Sequence, residues 1–494
     1  MAGGHEEYFG THKVGIPYRT LPPYYWIPVA NTPITNNKGF RGRNWKEKKS
    51  AGVIRIASLG DSCTLGGQEP YSERLDRLLR EALHSNKYEV LNGGVGSSST
   101  YQMLQIFEQQ ILPMRPDIVV IFPGWNDRWV HDGQRDSLHK LPTPWQASMR
   151  NHLLRSRLFQ AMVFVADKQR SKKKEQRVPA SEMAANLRKF AKMCRDQNLA
   201  LYLCTTPDGN SDNAILARFN DQKDQRDWDL DLYDLFKDKA DSPIGVWRYL
   251  DALYNDTVRS VAANERLPLI DLATDVAQRR MLYPEPPLYF FKDGIHFTEL
   301  GLQEVARLLA LQITTGSERD AVAAYVDSGP YYATNALIFA TQYQFATADD
   351  FLNKAEQLGE PPAWAETLHA QIREQRPFYD RYDRARINLS NFDDPSRVFS
   401  EFQALLEMRP QDQDLRLDTA DMAKNVGEYE LGRSMAIGQQ VDYSPSNLNR
   451  ALWIAAECSD AMGDSNMVST ILQELMRLFP EDQRLAMVLA NLPQ

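Results

Sequence analysis

Val53-Ile54-Arg55-Ile56-Ala57-Ser58-Leu59-Gly60-Asp61-Ser62-Cys63-Thr64-Leu65-Gly66 sets a short apolar run directly before a glycine turn, with a helical stretch near Tyr71 to His84 behind it. A run of this length, ended by glycine and followed by helical spacing, predicts a buried strand feeding a helix. The pattern then repeats: Tyr88 to Leu91, a helix near Tyr101 to Leu112, and Asp117 to Phe122. Further on come Leu199 to Cys204, a helix near Pro243 to Asn264, and Leu267 to Asp271. A last helix is predicted from about Thr298, as its N-cap, to Gln312. Alternating strands and helices predict an α/β domain with a parallel sheet covered on both faces, spanning 51–315. An insertion at about 128–198 interrupts it, with helices predicted near Gln146 to Lys168 and Ala180 to Gln197.

The flanks differ from this core. Residues 1–50 are rich in Pro, Asn, Gly and aromatics without periodicity, which predicts an extended N-terminal arm lying over another surface. Residues 316–494 contain only amphipathic helical patterns, with a repeat: Pro410, Pro445 and Pro480 are 35 apart, and the pairs Ala420/Ala456 and Gly427/Gly463 are each 36 apart. From roughly Ser396 to Leu492 this is similar to tetratricopeptide-type repeats, and the resemblance implies an all-α module for protein contact. Ala336 to Leu358 fits an earlier, degenerate helix pair, although Pro361-Pro362 is out of register.

Composition narrows the functional classes. The 494 residues are 43% hydrophobic and 25% charged, and apolar runs such as Ala161 to Ala166 fall far short of the roughly 20 residues that cross a bilayer. The start at Met1 lacks a basic, apolar leader, so the expectation is a cytoplasmic chain, or a periplasmic or membrane-tethered one whose leader was removed. The net charge of −8 divides unevenly: from Ser317 onward 15 basic and 28 acidic residues give −13, which leaves +5 before it. That mild excess, spread over 316 residues, is not the basic stripe that nucleic-acid binding requires. Arg170 to Glu175 is taken as a solvated helix end. Cys63, Cys194, Cys204 and Cys458 are far apart, which predicts reduced thiols. His131, His139 and His152 lack ligand spacing, and HExxH, P-loop and Gly-x-Ser-x-Gly motifs are absent, so no metal or cofactor is implied.

Four segments remain, each at the carboxyl end of a predicted strand or closing the domain: Gly60-Asp61-Ser62, Asn92-Gly93-Gly94-Val95-Gly96-Ser97-Ser98-Ser99, Pro123-Gly124-Trp125-Asn126-Asp127 and Asp293-Gly294-Ile295-His296. Open α/β folds keep their sites at that sheet edge. Alone, Ser62 is equally a helix cap, Asp293-x-x-His296 a surface turn, and the glycine loop a dinucleotide fingerprint lacking its third glycine. In this order the four blocks resemble the GDSL or SGNH hydrolase superfamily over about Ile54 to Leu311. Asn37-Lys38-Gly39-Phe40-Arg41-Gly42 is similar to a segment preceding such domains in exported or membrane-anchored bacterial members.

The resemblance implies a flavodoxin-like three-layer α/β/α fold and a serine esterase or deacylase. It makes Ser62 the nucleophile, His296 the general base and Asp293 its orienting carboxylate. A neutral hydroxyl needs such a base to attack an ester, and the oxyanion then needs fixed donors. Those implied are the Ser62 and Ser97 backbone N–H groups and the Asn126 amide, with Gly96 in reserve, because Ser97 stands where the family usually has glycine. Asp61 and Asp127 are expected to brace loops, Trp125 to pack beside Asn126, and the insertion to shape the substrate mouth. The substrate is expected to be a small-molecule or glycan ester. Two alternatives stay open: an O-acyltransferase acting on a carbohydrate hydroxyl through the same residues, and a non-catalytic scaffold.

Overall fold

The computed structural model describes residues 18–21, 24–32, 34–130, 134–139, 175–220, 228–283, 288–359, 363–390, 394–438 and 443–479. The helix predicted near Gln146 to Lys168, and with it His131, His152, Arg170 to Lys174, Pro361-Pro362 and Pro480, lies outside the described residues. The chain divides into two compact units, Met1–His369 and Ala370–Gln494.

In the first unit, β1 (Tyr18–Leu21) pairs antiparallel with β2 (Tyr25–Pro28). Five parallel strands follow: β3 (Ile54–Gly60), β4 (Tyr88–Gly94), β5 (Ile118–Phe122), β6 (Ala200–Cys204) and β7 (Leu269–Ile270), in the order β4-β3-β5-β6-β7. The order reverses between β3 and β5, so a crevice opens beyond their carboxyl ends. Register aligns those ends, with Gly60 opposite both Gly94 and Phe122. The first three loops therefore leave the sheet side by side.

Successive strand residues point to opposite faces. Ala57, Leu59, Val119, Ile121, Leu201 and Leu203 share one core with α3 (Thr100–Ile106) and the helices Ala180–Asp196 and Pro243–Glu265. On the opposite face Phe122 meets Tyr71 of α2 (Tyr71–Leu83), ring centroids 6.3 Å apart, and α2 packs on the helix Glu299–Ile313. Thr298 caps that last helix, its Oγ1 accepting the Gly301 N–H at 3.3 Å.

The arm lies against the α/β domain, and its aromatics go into it: Tyr25, Trp26, Ile27, Phe40 and Trp45 are buried in the same core as β3 and β5. Non-periodic segments can bury aromatics through turns, here with Asn36 Oδ1 accepting the Lys38 and Phe40 N–H groups and Phe40 stacked on Trp45. The first compact unit also continues past Gly316 to His369. The reason is that Gly316–Val326 packs on α2, with Glu318 accepting from Lys87 Nζ and Tyr88 Oη, both at 2.6 Å.

The second unit is helical: Pro395–Met408, Gln413–Asn425, Tyr429–Ile437, Pro445–Ala461 and Ser465–Leu478 each pack on the next. Gly427 and Gly463 take φ of 87° and 73° at helix ends, a conformation that costs glycine nothing. A Cβ on Gly432 would press on Ala420 O and Cys458 Sγ, so neighbouring helices approach closely there. Among the described residues no helix is long and apolar enough to cross a membrane.

Candidate active site

Ser62 opens α1 (Ser62–Leu65), a single turn that follows β3 after Gly60 and Asp61. The turn is capped by Asp61, whose Oδ1 accepts the Cys63 N–H at 2.9 Å, so the capping that sequence would also allow Ser62 falls to its neighbour. Ser62 Oγ is instead 2.9 Å from His296 Nε2, and His296 Nδ1 is 2.7 Å from Asp293 Oδ2. These three residues, 234 positions apart at the extremes, form one chain of hydrogen bonds. Such a chain can carry the hydroxyl proton to the imidazole while the carboxylate holds the ring's tautomer.

The Asp293 to His296 turn is built locally. Asp293 Oδ1 accepts the backbone N–H groups of Ile295 (3.1 Å) and His296 (2.9 Å), and Gly294 takes φ 83°. Partial burial raises the Asp293 carboxyl, but the adjacent His296 and these donated bonds outweigh it and hold the group well below the usual carboxylate range. From outside, the loop after β6 braces the turn. Gly209 N–H donates to Gly294 O at 2.8 Å, and Asp208 takes hydrogen bonds from Asn210, Trp247 Nε1 (2.9 Å) and Arg248 (2.7 Å). Sequence reasoning missed this brace. Its signal was the turn-forming stretch Thr205-Thr206-Pro207-Asp208-Gly209-Asn210 at the end of another strand on the same sheet edge.

The β4 loop comes against α1. Asn92 Nδ2 donates to Thr64 O at 3.0 Å, Val95 N–H donates to Gly60 O at 3.0 Å, and a Cβ on Gly94 would overlap the Leu65 backbone. At the tip, Ser97 has φ 58°, while Gly96 is not among the residues of positive φ. A non-glycine residue in that region costs about 1–2 kcal/mol, so surrounding contacts must hold it. The holding contacts come from elsewhere in the chain: Trp26 Nε1 donates to Gly96 O and Arg177 to Ser97 O, both at 2.9 Å.

The β5 loop completes the cluster. Asn126 Nδ2 donates to Asp61 Oδ2 at 3.0 Å, and the Trp125 N–H donates to the same oxygen at 3.0 Å. An amide has two N–H protons, so Asn126 keeps one for another acceptor. Burial pushes the Asp61 carboxyl above its usual range despite these donors. Asp127 is fully buried and accepts the Thr100 N–H at 3.0 Å and the Thr100 hydroxyl; burial pushes it up to about 7. Trp125 is buried with the Arg128 guanidinium 4.0 Å over its ring. Cys63 is buried, its Sγ 3.3 Å from Ile295 O, and His139 stacks on Tyr24 with centroids 4.7 Å apart.

Residues 58–303 match the GDSL-like Lipase/Acylhydrolase family. Among solved structures, an acetyl xylan esterase, AlAXEase, is 17% identical over 53% of this chain and 100% of its own, with a TM-score of 0.33. A lipase/acylhydrolase from Enterococcus faecalis is 18% identical over 55% and 97%, TM-score 0.31. Axe2, an acetylxylan esterase from Geobacillus stearothermophilus, is 17% identical over 53% and 95%, TM-score 0.32. No curated protein matches.

Proposed function

From a GDSL-like lipase/acylhydrolase domain over residues 58–303, which makes the chain an ester-hydrolysing enzyme, we propose that hydrolysis runs through an acyl-enzyme on Ser62. The observation that carries this reading is the continuous contact Ser62 Oγ to His296 Nε2 to Asp293 at 2.9 and 2.7 Å. Ser62 Oγ attacks the ester carbonyl as His296 Nε2 takes its proton, and Asp293 stabilises the imidazolium. The negative charge that forms on the carbonyl oxygen is met by the Ser62 and Ser97 backbone N–H groups and the second Asn126 amide proton. His296 returns its proton to the departing alcohol. Water, deprotonated by the same nitrogen, then releases the acid and restores Ser62.

Asp61 and Asp127 serve this site as braces rather than proton carriers, because each is buried and accepts hydrogen bonds from a neighbouring loop. The helices of the second unit serve as tetratricopeptide-like repeats for protein contact. The 36-residue spacing of Gly427 and Gly463, both at helix ends with positive φ, supports that reading.

The test is Ser62→Ala assayed on short-chain aryl esters, together with a fluorophosphonate probe on the parent. The proposal expects loss of turnover by about 10³-fold or more and probe mass on the peptide carrying Ser62. Turnover equal to the parent, or a probe found on another residue, overturns it.

A further inference from the structure

Deepening the reading of Ser97 as an oxyanion donor, and resting on it, we infer that Trp26 is a positioning residue for that donor, so that the N-terminal segment is a working part of the site. The peptide between Gly96 and Ser97 has two polar groups. Its carbonyl accepts the Trp26 indole N–H at 2.9 Å in a buried contact between residues 70 apart in sequence. In a planar trans peptide the N–H points opposite to the C=O. Trp26 therefore sets where the Ser97 N–H is aimed, on the side away from the indole. The next peptide is held as well: Arg177 donates to Ser97 O at 2.9 Å and the Ser98 N–H donates to Val95 O at 3.2 Å. Arg177 is itself fixed, paired with buried Asp136 at 2.9 Å and lying 5.9 Å from the Trp26 ring centre.

The arrangement answers a local difficulty. Ser97 occupies φ 58° with a side chain, a conformation that the loop's own sequence disfavours. Two hydrogen bonds from outside the loop, one on each flanking carbonyl, keep it there. Trp26 is positioned in turn by the strand pair β1–β2, where it is registered opposite Thr20. A second residue of the same segment acts alike on the nucleophile side: Arg41 donates to Gly66 O at 3.2 Å and to Gln68 O at 3.0 Å, behind α1.

The experiment replaces Trp26 in the full chain with benzothienylalanine, which keeps the ring shape and removes only the N–H, and in parallel makes Trp26→Phe. Aryl ester kinetics are expected to show kcat about tenfold lower, a fraction of what losing an oxyanion donor costs, with KM within about twofold and a melting temperature lowered by no more than a few degrees for the benzothienyl variant, which stays folded at the assay temperature. In a Ser97→Gly background the positive φ carries no side-chain penalty, so the same replacement is expected to cost at most about threefold. A benzothienyl variant with parental kcat, or an equal loss in both backgrounds, overturns the inference. Ser62→Ala run alongside separates the two claims: its inactivity with a silent Trp26 replacement removes only the positioning role, whereas activity surviving in Ser62→Ala removes the acyl-enzyme reading itself.

Discussion

Asp61 Oδ2 accepts the Asn126 side-chain amide at 3.0 Å, so the residue preceding the proposed nucleophile also orients a proposed oxyanion donor on the neighbouring strand's loop. The same carboxylate binds the Cys63 and Trp125 N–H groups, and all three donors point at it. Asp61→Asn would turn one acceptor edge into a donor facing donors. Steady-state kinetics should show kcat reduced about 10- to 100-fold with a smaller change in KM, and denaturant unfolding should show a loss of about 1–3 kcal/mol. Parental kcat would remove Asp61 from the site's supporting structure.

Replacing Ser97 by Ala tests whether its backbone or its hydroxyl matters. The proposed donor is the N–H, which alanine keeps, so kcat is expected within about twofold of the parent. Ser97→Gly should raise the unfolding free energy by up to about 1 kcal/mol, because the positive φ no longer costs side-chain strain. A large activity loss in Ser97→Ala would assign the role to the hydroxyl.

Gly294→Ala addresses the turn that carries Asp293 and His296. At φ 83° the added Cβ is strained and would overlap the buried Asn210 amide. The expected result is destabilisation of about 1–3 kcal/mol, with kcat falling more than the stability loss explains as His296 moves relative to Ser62. Thermal melts and aryl ester kinetics on the same preparation separate the two effects.

Asp127 gives stability a pH dependence with a defined sign. Burial raises its carboxyl from the ordinary aspartate value of about 4 to about 7, so between those values the folded state holds a proton that the unfolded chain has released. Its contribution to stability is full below about pH 4, falls as pH rises toward 7, and is constant above that. Asp127→Asn should flatten this part of the profile, measured by denaturant unfolding between pH 5 and 8. An unchanged slope would show that Asp127 does not titrate there.

Arg74 is wholly buried and donates to Glu299 and to Gln303 and Gln342, the last two at 3.2 Å, tying α2 to the helix Glu299–Ile313 and to the segment after Gly316. Arg74→Ala leaves Glu299 a buried charge without this partner, so a loss of about 3–5 kcal/mol is expected in denaturant unfolding. A loss below about 1 kcal/mol would mean the network is compensated.

The strands, their order of appearance and the four blocks at their ends were legible because each is a local pattern: a short apolar run, a turn and a helical period lie within a dozen or so residues. Ser62, Asn126, Asp293 and His296 could therefore be proposed from sequence; the parallel sheet brings the loops that carry Ser62 and Asn126 to one edge, and His296 Nε2 reaches Ser62 Oγ there at 2.9 Å. The Asp208 brace and the Arg74 network were not legible, because buried polar partners are selected by proximity across the fold and leave no periodicity.

What the sequence by itself determined is the alternation of elements and the identity of the groups at the sheet edge, since backbone preference and hydrophobic spacing act over a few residues. Only the tertiary structure decided that the aromatic arm enters the core, that the first compact unit runs to His369, and that Ser97 takes φ 58° between Trp26 and Arg177. Each of these depends on contacts between distant segments, and their free energy exists only once the chain has folded and excluded water from between them.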